Sequence, residues 1–291
     1  MMKQLGRGID MRLLLVFALL FCATLGAETK HTRNLREADA AIAHSEGREA
    51  FDEQMKGIPR KSGFGALPEG LERDLLLRWI APHHDPALLH FAGARSWGGK
   101  DRYVVAACFA MNKKVLDDAR KYDNDTVCRV SLDLHLGVFD FANGKFVPIA
   151  KSDDISDMEF MISVLGEEST RLDYHKFDLA NYRLNEKEKA FGVRGGHDIG
   201  YSGGGAYCEF LVLFRIVGDQ LVRVFGAEMY TFQDIAGDWH KDGTRDHDIY
   251  ENKSTLRVLK TKTNGFFDWE LRTSDGDNAR YRWNRQKGAY E

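Results

Sequence analysis

The sequence predicts a mainly β fold of the α+β kind: an antiparallel β-sandwich or open barrel built from hairpins, with short helices on its N-terminal side. Three observations predict it. Residues 206–216 and 221–232 are two runs rich in β-branched and aromatic side chains around Gly218-Asp219. That is the pattern of a hairpin, because extended pleated backbone accommodates such side chains and glycine supplies the positive φ of a tight turn. Residues 127–141 alternate, with Cys128, Val130, Leu132, Leu134, Leu136 and Val138 on one face and Arg129, Ser131, Asp133 and His135 on the other. Asn143-Gly144 and Asn264-Gly265 mark two further hairpin turns. The turns near 143, 218 and 264 are unevenly spaced, which argues against a propeller or solenoid of fixed repeat.

In chain order, residues 1–27 read as a secretory signal peptide. Lys3, Arg7 and Arg12 precede an apolar run from 13 to 22 that is short for a membrane span, and Ala-Thr-Leu-Gly-Ala follows as a cleavage region. Asp10 inside the basic region makes Met11 a second candidate start, and Phe21 before Cys22 is too large for a lipoprotein signal. Residues 28–62 form a helical N-terminal segment and linker, with a weakly apolar helix over 34–56 that breaks near Ser45-Glu46-Gly47. The β-rich domain spans 63–291. It opens with a short helix over 69–80 that Pro82 stops, then His83-His84-Asp85-Pro86 as a turn. Strands are expected over 103–111, 127–141 and 146–149, with a weakly helical piece at 155–165. Strands over 170–182 and 189–194 lead to a glycine-rich loop at 195–205. The central hairpin follows, with a three-residue loop setting Ile216 against Val222 and Phe214 against Val224. A polar loop at 234–253 then leads into a closing meander, 254–262, 266–273 and 279–283.

Length and 43% apolar content suffice for a proper core, and a net charge of −3 with interspersed signs offers no basic field for nucleic acid. Beyond residue 27 no segment is long and apolar enough to span a membrane, and Cys108, Cys128 and Cys208 remain. In an oxidising compartment Cys108 and Cys128 are the expected disulfide, near the facing ends of two strands, with Cys208 a small buried residue of the central hairpin.

Several constellations invite a chemical reading. Gly200-Tyr201-Ser202-Gly203-Gly204 matches the nucleophile-elbow pattern, but an elbow needs a helix after its serine and a strand follows here, so a turn is the simpler reading of Ser202. Asp238, His240, Asp242 and His247 gather oxygen and imidazole ligands for calcium or zinc without an EF-hand or His-x-x-x-His spacing; a solvated loop is the competing reading. Trp239, Trp269, Trp283 and Tyr281 crowd the last sixty residues or so, and such side chains supply large contact area at low entropic cost; packing into the sheet is the alternative.

Tyr182-Arg183-Leu184 with Ala190 to Arg194, the glycine loop leading into Phe210 to Arg215, and Leu256 to Leu259 with Thr263-Asn264-Gly265-Phe266 and Tyr281-Arg282-Trp283-Asn284 carry a likeness. Over residues 170–291 the chain resembles secreted bacterial β-rich proteins of uncharacterised role, loosely FG-GAP-like, although the Asp-Gly calcium repeats of such modules are missing. The resemblance implies fold and compartment only. The sequence as a whole points to an exported, periplasmic or secreted, non-enzymatic domain that binds another envelope or secreted protein, as an inhibitor, immunity factor or envelope accessory, with no cofactor. The competing expectations are a serine hydrolase using Ser202 and a glycan- or calcium-binding module using the 234–253 loop.

Overall fold

The computed structural model describes residues 29–122, 127–161 and 169–291; the expected leader and part of the 155–165 piece lie outside them. The chain builds a large, mostly antiparallel sheet that nearly closes into a barrel. Its staves are β2 (Leu89–Ser96), β3 (Arg102–Ala110), β4 (Leu132–Ala142), β5 (Lys145–Asp154), β11 (Gln220–Trp239), β10 (Gly204–Val217), β9 (Lys189–Tyr201) and β8 (Asp173–Arg183), in that order around the wall. The expected helix over 155–165 contains instead β6 (Phe160–Met161), paired with β7 (Ser169–Thr170).

Most of the wall is hairpins whose turns the residues themselves specify. Asn143-Gly144 and Asn264-Gly265 all have positive φ, the type I′ geometry whose twist matches that of paired strands. The central hairpin is tighter than expected. Val217 pairs with Gln220 and Ile216 with Leu221, so the loop has two residues and Phe214 stands opposite Arg223. Gly218 has φ 63° and Asp219 has no positive φ, a type II′ turn. This one-residue correction to the expected register also takes Arg215 out of opposition with Arg223. Closure falls to residues 63–65, at the start of the β-rich domain. Gly63 donates its N–H to the His175 carbonyl of β8 at 2.8 Å, and Gly65 presses its carbonyl against Gly93 of β2. Between them Phe64 inserts its ring, stacked on Phe91 of β2 at 5.2 Å and edge-on to Phe177 of β8 at 5.0 Å.

The barrel interior is filled by side chains, as expected for a barrel of about eight strands. Val104, Ala106 and Cys108 meet Leu134, Leu136, Phe191, Val193, Cys208, Phe210, Val212 and Phe214 there, all buried. Cys108 and Cys128 form the predicted disulfide, with Cα atoms 5.8 Å apart, and Cys208 lies outside it in the same core. Cys128 exchanges both backbone hydrogen bonds with Tyr174, so the bridge ties β3 to the edge of β8.

Three covers seal the outside. Helix α3 (Arg73–Ile80) lays Leu76, Leu77 and Ile80 on Val105, Ala107, Phe109 and Phe139. Helices α1 (Leu35–Ala41) and α2 (Ser45–Lys56) cover Tyr207, Tyr230, Phe232 and Ile249. The expected helical break falls at 42–44, ahead of Ser45-Glu46-Gly47, which are helical. The charged helix α4 (Lys113–Tyr122) follows β3 and sets Leu116, flanked by Val115 and Ala119, against the barrel core. The third cover is the C-terminal meander, β13 (Phe266–Thr273), β14 (Asn278–Tyr281), β15 (Trp283–Asn284) and β16 (Ala289–Tyr290), which extends from β12 (Arg245–Thr263) over Leu211, Leu213 and Phe225. A short strand β1 (Lys30–Thr32) adds to the edge of β12.

Two expected loops are strands. Residues 195–201 continue β9, because Tyr207 on the neighbouring strand occupies the space where a side chain at Gly196 would stand. Most of the polar stretch 234–253 is the β11–β12 hairpin, turning only at 240–244. Its polarity marks one solvated face rather than irregular backbone. Strand β2, which the sequence reading passes over, is short-sided and rich in Ala and Gly.

Candidate functional site

Ser202 sits in the turn of the β9–β10 hairpin, with strand on both sides. An elbow requires a helix N-terminus behind the serine to meet the oxyanion, and that helix is not there. Among the described residues the Ser202 hydroxyl has no hydrogen-bond partner, and its carbonyl accepts from Arg245 Nη1 at 3.2 Å. His240 and Asp234, the nearest conceivable triad members in sequence, have other partners.

The expected metal ligands are not brought together. Asp242 accepts from the Thr244 hydroxyl at 2.7 Å and amide at 3.0 Å, closing the turn, and these bonds hold its carboxyl below the ordinary range. His240 Nε2 meets Asp246 at 2.7 Å. His247 belongs to the other face, because strand side chains alternate and Asp246 and Asp248 flank it. There it is buried, with Nδ1 at 2.8 Å from Asp234 Oδ1. Burial pushes the Asp234 carboxyl up, only partly offset by His247, and its Oδ2 has no partner. Among the described residues no three His, Cys, Asp or Glu side chains are placed to hold a metal ion together.

The four aromatic candidates also divide. Trp269 is fully buried and stacked on Tyr290 at 3.8 Å; Trp283 is buried and stacked on Phe266 at 4.0 Å; Tyr281 is half-buried, edge-on to Phe225 at 4.9 Å. These three are the interior of the C-terminal cover, which corrects the expectation that they form an exposed face. Trp239 remains, 69% exposed at the end of β11.

A second-level arrangement fixes it. The β11–β12 ladder jumps from Ala236–His247 to Trp239–Arg245, a bulge that re-aims the last residues of the strand. Arg245 lays its guanidinium over the Trp239 ring at 5.3 Å while Nε donates to the Gly237 carbonyl at 2.8 Å and Nη1 to Ser202. One arginine thus ties two hairpin tips together beneath a tryptophan. Tyr201, 45% exposed on the neighbouring tip, is anchored by its hydroxyl donating to the Asp234 carbonyl at 2.5 Å. Beside the tip, β1 and the β11–β12 hairpin border a cleft of about 400 Å³ whose walls carry Asp238, Asp246 and Asp248, the last meeting His31 Nδ1 at 2.5 Å. Sequence reasoning finds Trp239 but misses Arg245 and Tyr201. Only the register of two hairpins that are not consecutive brings them to it.

Another group outside the sequence reading lies behind α3, where His84 Nε2 meets Asp133 at 3.0 Å and its ring stands edge-on to His135 at 4.7 Å. Burial first, and the neighbouring His84, push the His135 imidazole below its ordinary pKa, and its Nε2 has no partner. Ser152 Oγ is engaged with the Leu136 backbone and Ser156 Oγ with Asp154.

Comparison of the chain with family models, curated proteins and solved structures finds no match.

Proposed function

We propose that this chain is an exported, non-enzymatic binding protein that engages another envelope or secreted protein through two adjoining hairpin tips, one bearing Trp239 and Arg245 and the other Tyr201. The observation that carries the reading is an indole two-thirds open to solvent yet held by a stacked, doubly anchored arginine. Trp, Tyr and Arg are the residues that dominate binding energy at protein interfaces, and a side chain immobilised beforehand loses less entropy on docking. The apolar filling of the barrel supports contact at its surface rather than within it. The Cys108–Cys128 bridge supports an oxidising compartment, as does the leader-like sequence at 1–27. No helix of the described residues is long and apolar enough to cross a membrane.

The test is affinity capture with the oxidised, tagged protein from envelope and secreted extracts, run in parallel with Trp239→Ala. A stoichiometric partner retained by the wild type at moderate salt and lost by the variant is the expected result. Equal capture by both would move the interface elsewhere, and absence of any partner would count against binding as the function.

A further inference from the structure

At the opposite end of β10 from the Trp239 tip, the β2–β3 turn, the β8–β9 turn and the end of β10 enclose a cleft of about 290 Å³. Its walls carry Trp97, Arg102, Lys187, Glu188, Lys189 and Arg215. Arg102 is satisfied by Asp140, through Nε at 2.8 Å and Nη2 at 3.1 Å. The other three cations are not. Lys187 and Lys189 are exposed and have no ion-pair partner among the described residues. Arg215 reaches Glu188 only at 3.5 Å, and its buried Nε–H has no acceptor. Its guanidinium is held in place by stacking over Phe266 at 5.4 Å and Trp283 at 5.3 Å. One carboxylate therefore faces three cations that lack full partners, in a chain whose net charge is −3.

The cleft is built rather than incidental. The amides of Lys187 and Glu188 both donate to Asn185 Oδ1, at 2.8 and 3.0 Å, which fixes the turn that carries Lys187 and leads to Lys189. Across from them Trp97 is half-buried, its ring edge-on to Phe191 at 5.2 Å and its amide bonded to the Arg102 carbonyl. A fixed guanidinium paired only loosely with Glu188, two ammonium groups and an indole are the components that recognise an oxyanion attached to a flat or ring-shaped body. The volume lies at the lower bound of small-molecule sites, about 300 Å³, so the ligand is small.

We infer that this cleft binds a small ring compound bearing a phosphate or carboxylate, with the oxyanion on Arg215, Lys187 and Lys189 and the ring against Trp97. The site is independent of the Trp239 tip. Titration calorimetry on the full chain with glucose 1-phosphate, glucuronate and neutral glucose tests it and separates the two oxyanions. Binding of either anionic sugar, weakened by added salt and absent for glucose, is expected. The double variant Lys187→Met/Lys189→Met removes two exposed charges, one from the turn and one from the first residue of β9, and leaves the fold intact, as its melting curve would verify; it should weaken the anionic sugar about tenfold. No binding of either anion at millimolar concentration would overturn the inference. So would an unchanged affinity in the lysine variant, or glucose binding as tightly as its charged relatives.

Discussion

Between Tyr207 and Phe214 both faces of β10 are buried, but only the outer one buries a charge. Toward the barrel axis stand Cys208, Phe210, Val212 and Phe214, all apolar. Toward the outside stand Tyr207, Glu209, Leu211 and Leu213, also buried. Glu209 is 1% exposed; its Oε1 accepts from Arg194 Nη1 at 2.6 Å, and its Oε2 from Lys176 Nζ at 2.8 Å and His175 Nε2 at 3.0 Å. Arg194 in turn reaches Asp178 at 2.7 Å. Two residues earlier on the same strand, Tyr207 has Arg60 over its ring at 3.7 Å, and Arg60 joins Glu53 at 2.9 Å and Asp198 at 2.5 Å. The inner face is specified by shape and apolarity alone. On the outer face the covers meet imperfectly, and the seam between the helices and the C-terminal meander is closed by ion pairs. A buried ionic seam is only weakly stabilising as a whole but very sensitive to loss of one member.

That contrast can be broken or sharpened by experiment. The largest effect is expected from Glu209→Ala, which strands two cationic side chains and an imidazole in a buried setting and should cost about 3–5 kcal/mol, as much as truncating a core phenylalanine such as Phe210→Ala. Urea unfolding midpoints of the two variants give the answer; a loss below that of an ordinary surface change at Glu209 would show the seam to be solvated. Next, removing the interior cross-link with Cys108→Ser and Cys128→Ser should lower stability by about 3 kcal/mol for a bridge spanning 20 residues. An unaltered melting temperature would mean that the filled interior alone holds β3 to the β8 edge.

A smaller, pH-dependent effect separates two carboxylates of the outer surface. At Glu209 burial opposes ionisation, but the His175 hydrogen bond and the charges of His175, Lys176 and Arg194 hold the pKa well below the ordinary 4.5. Its contribution is present above that ordinary value and lost as pH falls through the depressed folded-state value. Asp234 has one partner where Glu209 has three, and burial raises its pKa above 3.8. Its penalty is absent below 3.8 and grows as pH rises toward the elevated folded-state value. Stability measured from about pH 3 to pH 7 should therefore rise more steeply with pH in the wild type than in Glu209→Gln. The same series should rise less steeply in the wild type than in Asp234→Asn. Slopes changed in the same direction by both substitutions would refute the distinction.

The smallest effect on stability belongs to Trp239→Ala, within about 0.5 kcal/mol because the ring is mostly in water. A larger loss of melting temperature would assign Trp239 to the fold rather than to a partner.

The comparison also explains which parts of the molecule were legible in the residues. The hairpins at 143, 218 and 264, the inward face of β4 from Leu132 to Val138 and the Cys108–Cys128 bridge follow from alternation, turn chemistry and spacing. The loop at Gly218-Asp219 has two residues where alternation favours three, because a bulge between Leu213 and Phe214 sets Arg223 opposite Phe214 and moves Val224 to the outer cluster. The outer face was misread more deeply. Glycines 195 and 196 look like a loop until Tyr174 and Tyr207 are known to fill the room beside them. The polar residues of 234–253 look like a solvated connection until pairing shows them as one face of a long hairpin. At the candidate site, Trp239 stood out by its residue type, but so did Trp269 and Trp283. Nothing local distinguishes an indole under a cover from one beyond its edge.

By itself the sequence determined the mainly β class, most strand positions, the inward-facing set and the disulfide pair, because each depends on interactions between near neighbours or on the two-residue period of a strand. Only the tertiary structure decided that the sheet nearly closes with Phe64 in its gap, that Glu209 is buried among partners from two other strands, and that Arg245 joins the Ser202 turn to the tip carrying Trp239. Those outcomes depend on which distant segments come to lie side by side, and long-range pairing leaves no periodic trace in the segments it joins.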